Sequence, residues 1–203
     1  MTEVQEMMSE YHHPPAEPIG LFNAWFEEAK AAGAAEPGVV ALATADRQGT
    51  VSNRMCQTIR ITGRGWVFAT HTNSQKGRDI EATGWASGVF YWRELYRQLT
   101  FAGPVHRLSE EESDAIWLAR DPRMHAMSVA AWQSELLDDE DALRAYAQEL
   151  ADSGETLPRP ERWVGYELVP STVEFWQGVP DRLYRRLRYD RTSKGWTNCR
   201  LQP

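Results

Sequence analysis

Two stretches of this chain carry residue types suited to holding an anion beside a planar ring. Val173-Glu174-Phe175-Trp176-Gln177-Gly178 places an aromatic just ahead of Asp181-Arg182-Leu183-Tyr184-Arg185-Arg186-Leu187-Arg188-Tyr189, a burst of positive charge on strand-like sequence. Read as one extended strand, Arg182, Tyr184, Arg186 and Arg188 project together while Leu183 and Leu187 turn the other way. Guanidiniums on one face repel unless an anion or carboxylates sit among them. A solvated edge strand, guarded by its charges, accounts for the same pattern. The second stretch, His71-Thr72-Asn73-Ser74-Gln75-Lys76-Gly77-Arg78, reads as a strand end, a polar loop and a helix start capped by Ser74. Free backbone N–H groups and the helix dipole favour a phosphate there, and a cation such as Lys76 in the first turn is unfavourable without one.

These residues need a scaffold, and short β-rich runs supply it: Val39 to Ala45, Val51 to Ile61 and Trp66 to Thr70, expected as a three-stranded meander, then Trp85 to Trp92 and Tyr96 to Leu108. Four more follow at Trp163 to Val169, Thr172 to Gln177, Arg182 to Tyr189 and Trp196 to Leu201. In Val51 to Arg60 neither face is plainly apolar, which suits a strand lining a site, a subunit interface or a sheet edge, and it carries Arg54. Leu21, Phe22, Trp25, Phe26 and Ala29 recur at helical spacing before Gly33. Ser109-Glu110-Glu111-Glu112 matches a capping box, and a further helix is expected from about Asp139 to Ala151. The fold class is therefore mainly β with covering helices (α+β), a small closed or split barrel. Residues 1–18, with His12, His13 and three prolines, read as a mobile arm, leaving a single domain over 19–203.

The formal charge of -7 argues against nucleic-acid binding and adhesion to anionic membranes. With no apolar run of spanning length and no signal-peptide pattern, a cytoplasmic location is expected. Cys56 and Cys199 have no ligand-like spacing and read as reduced thiols, and no metal site is expected. The scattered His71, His106 and His125, and the lack of nucleotide-loop, serine-hydrolase or zinc-protease motifs, leave chemistry to a cofactor that brings its own reactivity.

In order along the chain, Ser52-Asn53-Arg54-Met55, Trp66 to Thr70, Ser74 to Arg78, Phe90-Tyr91-Trp92, Arg97-Gln98, Arg107-Leu108-Ser109, Trp132-Gln133-Ser134 and Val173 to Tyr189, ending in Arg200-Leu201-Gln202-Pro203, resemble the pyridoxamine 5′-phosphate oxidase family of FMN-dependent split-barrel flavoproteins. The resemblance implies a homodimer whose two FMN sites are each built from both subunits. It implies that Arg54, Lys76 and Ser134 hold the FMN phosphate, with Ser74 and Gln75 beside them and Gln75 standing where the family often has a second cation. Met55, Ala69 and Thr70 would line the cofactor, and Gln98, Gln133, Trp176 and Arg186 would contact it. At the substrate positions, where vitamin B6 oxidases carry lysine, tyrosine, serine and histidine, this chain has Ile59, Ile116, Met124 and Tyr184, retaining only Arg120 and Arg182. The implied pocket suits a flat apolar ring better than a B6 phosphate. His71, Gln75 to Arg78 and Trp85 to Glu94 resemble the branch acting in phenazine biosynthesis. That branch implies oxidation of a reduced phenazine carboxylate, hydride passing to FMN and electrons to dioxygen, with Arg182 or Arg120 on the carboxylate. Tyr184 either assists proton transfer or packs on the ligand. An authentic B6 phosphate oxidase and a non-catalytic flavin-binding dimer are the competing readings.

Overall fold

Alternation in Val39–Ala45 (β1) buries Val40, Leu42 and Thr44, so this strand presents one face to a core. The computed structural model describes residues 9–203, and a short helix, Ser9–His12 (α1), precedes Pro18–Ala31 (α2). β1 pairs antiparallel with Val51–Gln57 (β2), after which the chain breaks and resumes as Arg60–Ile61 (β3) against Trp66–His71 (β4). The expected single strand from Val51 to Ile61 is thus two. The expected meander is opened: β4 finds its long partner about a hundred residues on, in Trp163–Leu168 (β7).

Gln75–Thr83 (α3) follows the loop after β4, then Trp85–Trp92 (β5) and Arg97–Arg107 (β6) form a long antiparallel pair. Glu110–Ala119 (α4), His125–Ala130 (α5) and Glu140–Asp152 (α6) come next, and Thr172–Gln177 (β8), Arg185–Thr192 (β9) and Gly195–Leu201 (β10) complete the chain. The larger sheet runs β10-β9-β8-β6-β5-β1-β2. β6 belongs to both halves: residues 97–102 pair with β8, and Val105 to Arg107 pair with β7. Gly103 makes the handover possible, since a Cβ there would lie 2.2 Å from the Val169 carbonyl oxygen. This strand-sharing is what splits the barrel.

The core is aromatic. Phe22, Trp25 and Ala29 of α2 are buried against Phe90, Phe101 and Phe175, and Trp66, Phe68 and Tyr166 stack in succession. Residues 9–18 depart from the unpatterned arm of the sequence reading. Trp25 Nε1 donates to Glu10 at 2.9 Å, Tyr189 Oη donates to the Pro15 carbonyl at 3.0 Å, and Arg200 lies 4.8 Å over the Tyr11 ring. Residues 1–8 of that segment lie outside the described residues. No helix among the described residues is long and apolar enough to cross a membrane.

Candidate active site

β2, β4, α3 and α4 enclose a cavity of about 630 Å³. Into it the structure brings Arg54 and Met55 of β2, Ala69 and Thr70 of β4, Lys76 of α3, and Gln133 from the segment after α5. Ile59, Ile116, Arg120 and Met124 line the same space. At its polar end, Ser74 caps α3 by accepting from Gly77 N, and Ser134 Oγ accepts from Gln75 N at 3.0 Å. Thr70 joins the group, receiving a bond from Lys76 Nζ at 3.0 Å and donating to Gln133 at 3.1 Å. A Cβ at Gly77 would meet the His71 carbonyl oxygen at 2.3 Å, so only glycine lets this helix start so close to the strand.

Among the described residues the two cations at this end meet no carboxylate directly. Arg54 donates to Thr44 Oγ1 at 2.6 Å and to Ser52 Oγ at 2.5 Å, and neither it nor Lys76 forms an ion pair among the described residues. Burial pulls the Lys76 ammonium down from its ordinary value, and the Arg54 charge adds to that. Behind Arg54 sits Asp79, a buried carboxylate that the sequence reading missed. It accepts from Thr44 and Ser52 through Oδ2 at 2.7 and 2.8 Å, and from Gln75 through Oδ1 at 2.8 Å. Burial alone would raise its pKa, but these hydrogen bonds and the Arg54 charge together hold it below its usual value. The aspartate thus orients two hydroxyls that in turn orient the guanidinium. Spacing marks only an acid one helical turn after Gln75; its partners on the strands are visible in the structure alone.

Gln133 and Ser134 are held from behind. Arg162 stacks 4.3 Å from the Trp132 ring and donates to the carbonyls of Val129 and Ala131. Ser134 adopts φ 69°, an uncommon conformation for a non-glycine residue. His71, under the same loop, is fully buried with both ring nitrogens unpartnered. Burial, then the charges of Arg162, Lys76 and Arg120, pull its pKa down to about 4; the Ser128 backbone opposes this with geometry short of a hydrogen bond.

The other end is lined by Ile59, Ile116, Met124 and Trp163, with Arg60 and the half-buried Arg120 beside them. Arg120 Nη1 donates to the Met124 carbonyl at 3.1 Å and to Ser128 Oγ at 2.6 Å, and its guanidinium lies 5.9 Å from the Trp117 ring and 5.7 Å from the Trp163 ring. Burial disfavours its charge, and among the described residues no carboxylate pairs with it.

The remaining expected residues lie elsewhere on the chain. Gln98, Trp176 and Arg186 stand in register across β6, β8 and β9, so they form one row. Tyr184 packs on Trp176 with ring centroids 5.0 Å apart, and Arg182 occupies the turn before β9 at φ 65°. The expected strand face from Arg182 to Arg188 is therefore corrected: β9 begins at Arg185, and Asp181 Oδ1 accepts from Leu183 N to close a turn. The repulsion expected among its arginines is relieved by carboxylates, Arg186 meeting Glu174 at 2.7 Å and Arg188 meeting Asp190 at 2.8 Å.

Fold and site define a split-barrel protein whose chain carries a cationic, ring-sized cavity and, apart from it, an aromatic and arginine row. A family model described as pyridoxamine 5′-phosphate oxidase matches residues 26–154, and one described as the pyridoxine 5′-phosphate oxidase C-terminal dimerisation region matches residues 163–203. The chain belongs to the pyridoxamine 5′-phosphate oxidase family. Dihydrophenazinedicarboxylate synthase of Burkholderia lata is 47% identical over 98% of this chain and 94% of its own length. Pyridoxine/pyridoxamine 5′-phosphate oxidase of Paraburkholderia phymatum is 42% identical over 92% of this chain and 89% of its own. The crystal structure of PhzG from Burkholderia lata 383 in complex with tetrahydrophenazine-1-carboxylic acid superposes with a TM-score of 0.96 at 47% identity, covering 97% of this chain and 98% of that one.

Proposed function

We propose that this protein is an FMN-dependent oxidase of a reduced phenazine carboxylate, working as a homodimer. The observation that carries the reading is the division of the cavity: Arg54 and Lys76 beside the start of α3 at one end, and a largely apolar wall with the half-buried Arg120 at the other. The donor set at the polar end fits a phosphate monoester, as two cations, a serine hydroxyl and the first turn of α3 converge there. Arg54, Lys76, Ser74, Gln75 and Ser134 would hold the FMN phosphate, with Met55, Ala69, Thr70 and Gln133 along the ring system. FMN, when bound, would supply the chemistry these residues lack, a two-electron acceptor for a hydride from the reduced ring that dioxygen could reoxidise with formation of hydrogen peroxide.

The chain's own residues supply position and exclusion. Ile59, Ile116 and Met124 flank a flat substrate and keep water from its faces. Arg120 holds a carboxylate, because a desolvated guanidinium gains most from a bidentate anion. The row Gln98–Trp176–Arg186 completes the cofactor site of the partner subunit, and Arg182 and Tyr184 close over its substrate. Loss to solvent of the one proton that accompanies the hydride is driven by aromatisation, so no strong base is required.

The relatives named above support the substrate class, and the apolar residues at 59, 116 and 124 weigh against a B6 phosphate. The likeness to the Paraburkholderia phymatum protein favours the second reading, oxidation of pyridoxine or pyridoxamine 5′-phosphate. Anaerobic stopped-flow mixing separates them. A reduced phenazine carboxylate should bleach the flavin band far faster than pyridoxine phosphate. Bleaching by neither leaves a flavin-binding dimer without catalysis, and failure to take up FMN ends the proposal. Within the site, Lys76→Ala should weaken FMN binding about tenfold or more with little change in substrate KM, and Arg182→Ala should do the reverse. Equal effects of both on FMN and substrate would remove the proposed division.

A further inference from the structure

On the sheet face that carries Gln98, Trp176 and Arg186, the register of β8 and β9 also places a carboxylate, that of Glu174. Residues two apart on a strand share a face, so Glu174 projects with Trp176, and its own register partner on β9 is Arg188. The ion pair that forms is the diagonal one. Arg188 turns to Asp190, donating from Nε and Nη2 to Oδ1 at 3.0 and 2.8 Å. Glu174 is thereby left to Arg186, which donates from Nε to Oε1 at 2.7 Å and from Nη2 to Oε2 at 3.1 Å. The third nitrogen of Arg186, Nη1, donates to the Gln202 carbonyl at 3.0 Å.

A two-point contact of this kind fixes the plane of a guanidinium as well as its place. Three of the five N–H groups of a guanidinium are engaged here, which leaves two for an acceptor on a ligand. The side chains of Arg186 and Glu174 are only 30% and 17% exposed, so solvent does not fully screen one charge from the other. The Glu174 hydrogen bonds push the Arg186 guanidinium up from its ordinary value, as a close partner should. We propose that Glu174 is a positioning residue for the cofactor: it fixes Arg186 at the ring edge and masks part of its charge, and so sets how strongly the site favours reduced over oxidised FMN. The proposal rests on the reading of the Gln98–Trp176–Arg186 row as a contact to FMN. Reduction brings negative charge to the ring, so a masked guanidinium stabilises the reduced cofactor less than a bare one.

Two measurements separate the two effects: the potential of the FMN-loaded protein, by equilibration with a redox dye, and FMN affinity, by fluorescence titration. Glu174→Gln keeps an oxygen that accepts from Arg186 and removes the charge. It should favour reduced FMN about tenfold more than the wild-type protein does, a rise of about 30 mV in a two-electron potential, while the Kd for oxidised FMN changes by less than about threefold. Glu174→Asp keeps the charge on a shorter side chain and should move that preference by less than about twofold. Glu174→Ala removes the hold together with the charge, and oxidised FMN should bind about tenfold more weakly. An unchanged potential in Glu174→Gln, an equal rise in Glu174→Asp, or full FMN affinity in Glu174→Ala overturns the role of Glu174. Arg186→Ala tests the underlying reading by itself: if it leaves FMN affinity untouched, the row is no cofactor contact, and that reading is what fails.

Discussion

Asp79 shows how a residue outside the cavity wall can set one that lines it. Its carboxylate fixes Thr44 and Ser52, and those hydroxyls fix Arg54, so the guanidinium points into the cavity along two hydrogen bonds instead of pairing directly with the acid. Asp79→Asn replaces one accepting oxygen by a donor, and FMN affinity measured by fluorescence titration should fall about five- to tenfold. Asp79→Glu should leave the charge but misplace it, giving an intermediate loss. His71 makes a separate prediction about pH. Its pKa in the folded protein lies near 4, below the ordinary 6.5, so the unfolded chain binds the extra proton first. Stability from keeping this ring neutral is fully present above pH 6.5 and drains away as pH falls towards 4. The loss is on the order of 3 kcal/mol for this one group. Chemical denaturation at pH 7 and pH 4.5 should show it in the wild-type protein and a smaller drop in His71→Gln.

At the level of elements, β6 decides the architecture and Gly103 decides β6. Any side chain at that position collides with the backbone of residues 169–171, so Gly103→Ala should cost about 3 kcal/mol or more by denaturant titration. Gly20 is the contrast: a Cβ there meets nothing within 4 Å inside α2, and Gly20→Ala should stabilise by about 0.5–1 kcal/mol. Local signals made much of this legible in the sequence. The serines at 74 and 109 cap their helices as their spacing indicates, and β8 spans Thr172–Gln177, the expected run. What the sequence hides is long-range. Apolar alternation continues along β6 through Gly103, and although Gly103-Pro104 marks an irregularity there, it does not say that the strand changes partner from β8 to β7. Likewise β4 pairs with a strand far down the chain, a choice set by packing and not by propensity. In the site, Arg54, Thr70 and Lys76 lie near one another on β2, β4 and α3, whereas Ile116, Arg120, Met124 and Gln133 come from farther along the chain and are grouped with them in the sequence only by the family resemblance. Asp79 was not readable, because a helix aspartate reads as surface until its strand partners are known. The Arg182–Tyr184 turn was readable after all, since Pro180 and Asp181 precede it and Asp181 makes the turn-closing bond.

Across the whole molecule, the outer face of the β2-β1-β5 sheet is open and carries large apolar side chains among polar ones such as Asn53 and Gln57. Val51 and Met55 are 67% and 66% exposed, and Tyr91 on β5 is 57% exposed, with Ala41 of β1 in register between Met55 and Val89. Met55 lines both the main cavity and a smaller hollow of about 280 Å³ on this face, so covering the face and finishing the site are linked events. Sedimentation should find a dimer, and Tyr91→Asp should shift it to monomer with weakened FMN retention, because a charge placed in an apolar contact is left without a partner. The separation of the cavity from the Gln98–Trp176–Arg186 row has a genetic corollary. If the site is shared between subunits as proposed, a copy damaged at Lys76 would still lend an intact row, and a copy damaged at Trp176 an intact cavity. Two defective alleles expressed together should then rescue each other: random pairing would restore about a quarter of the sites, where either allele alone restores none.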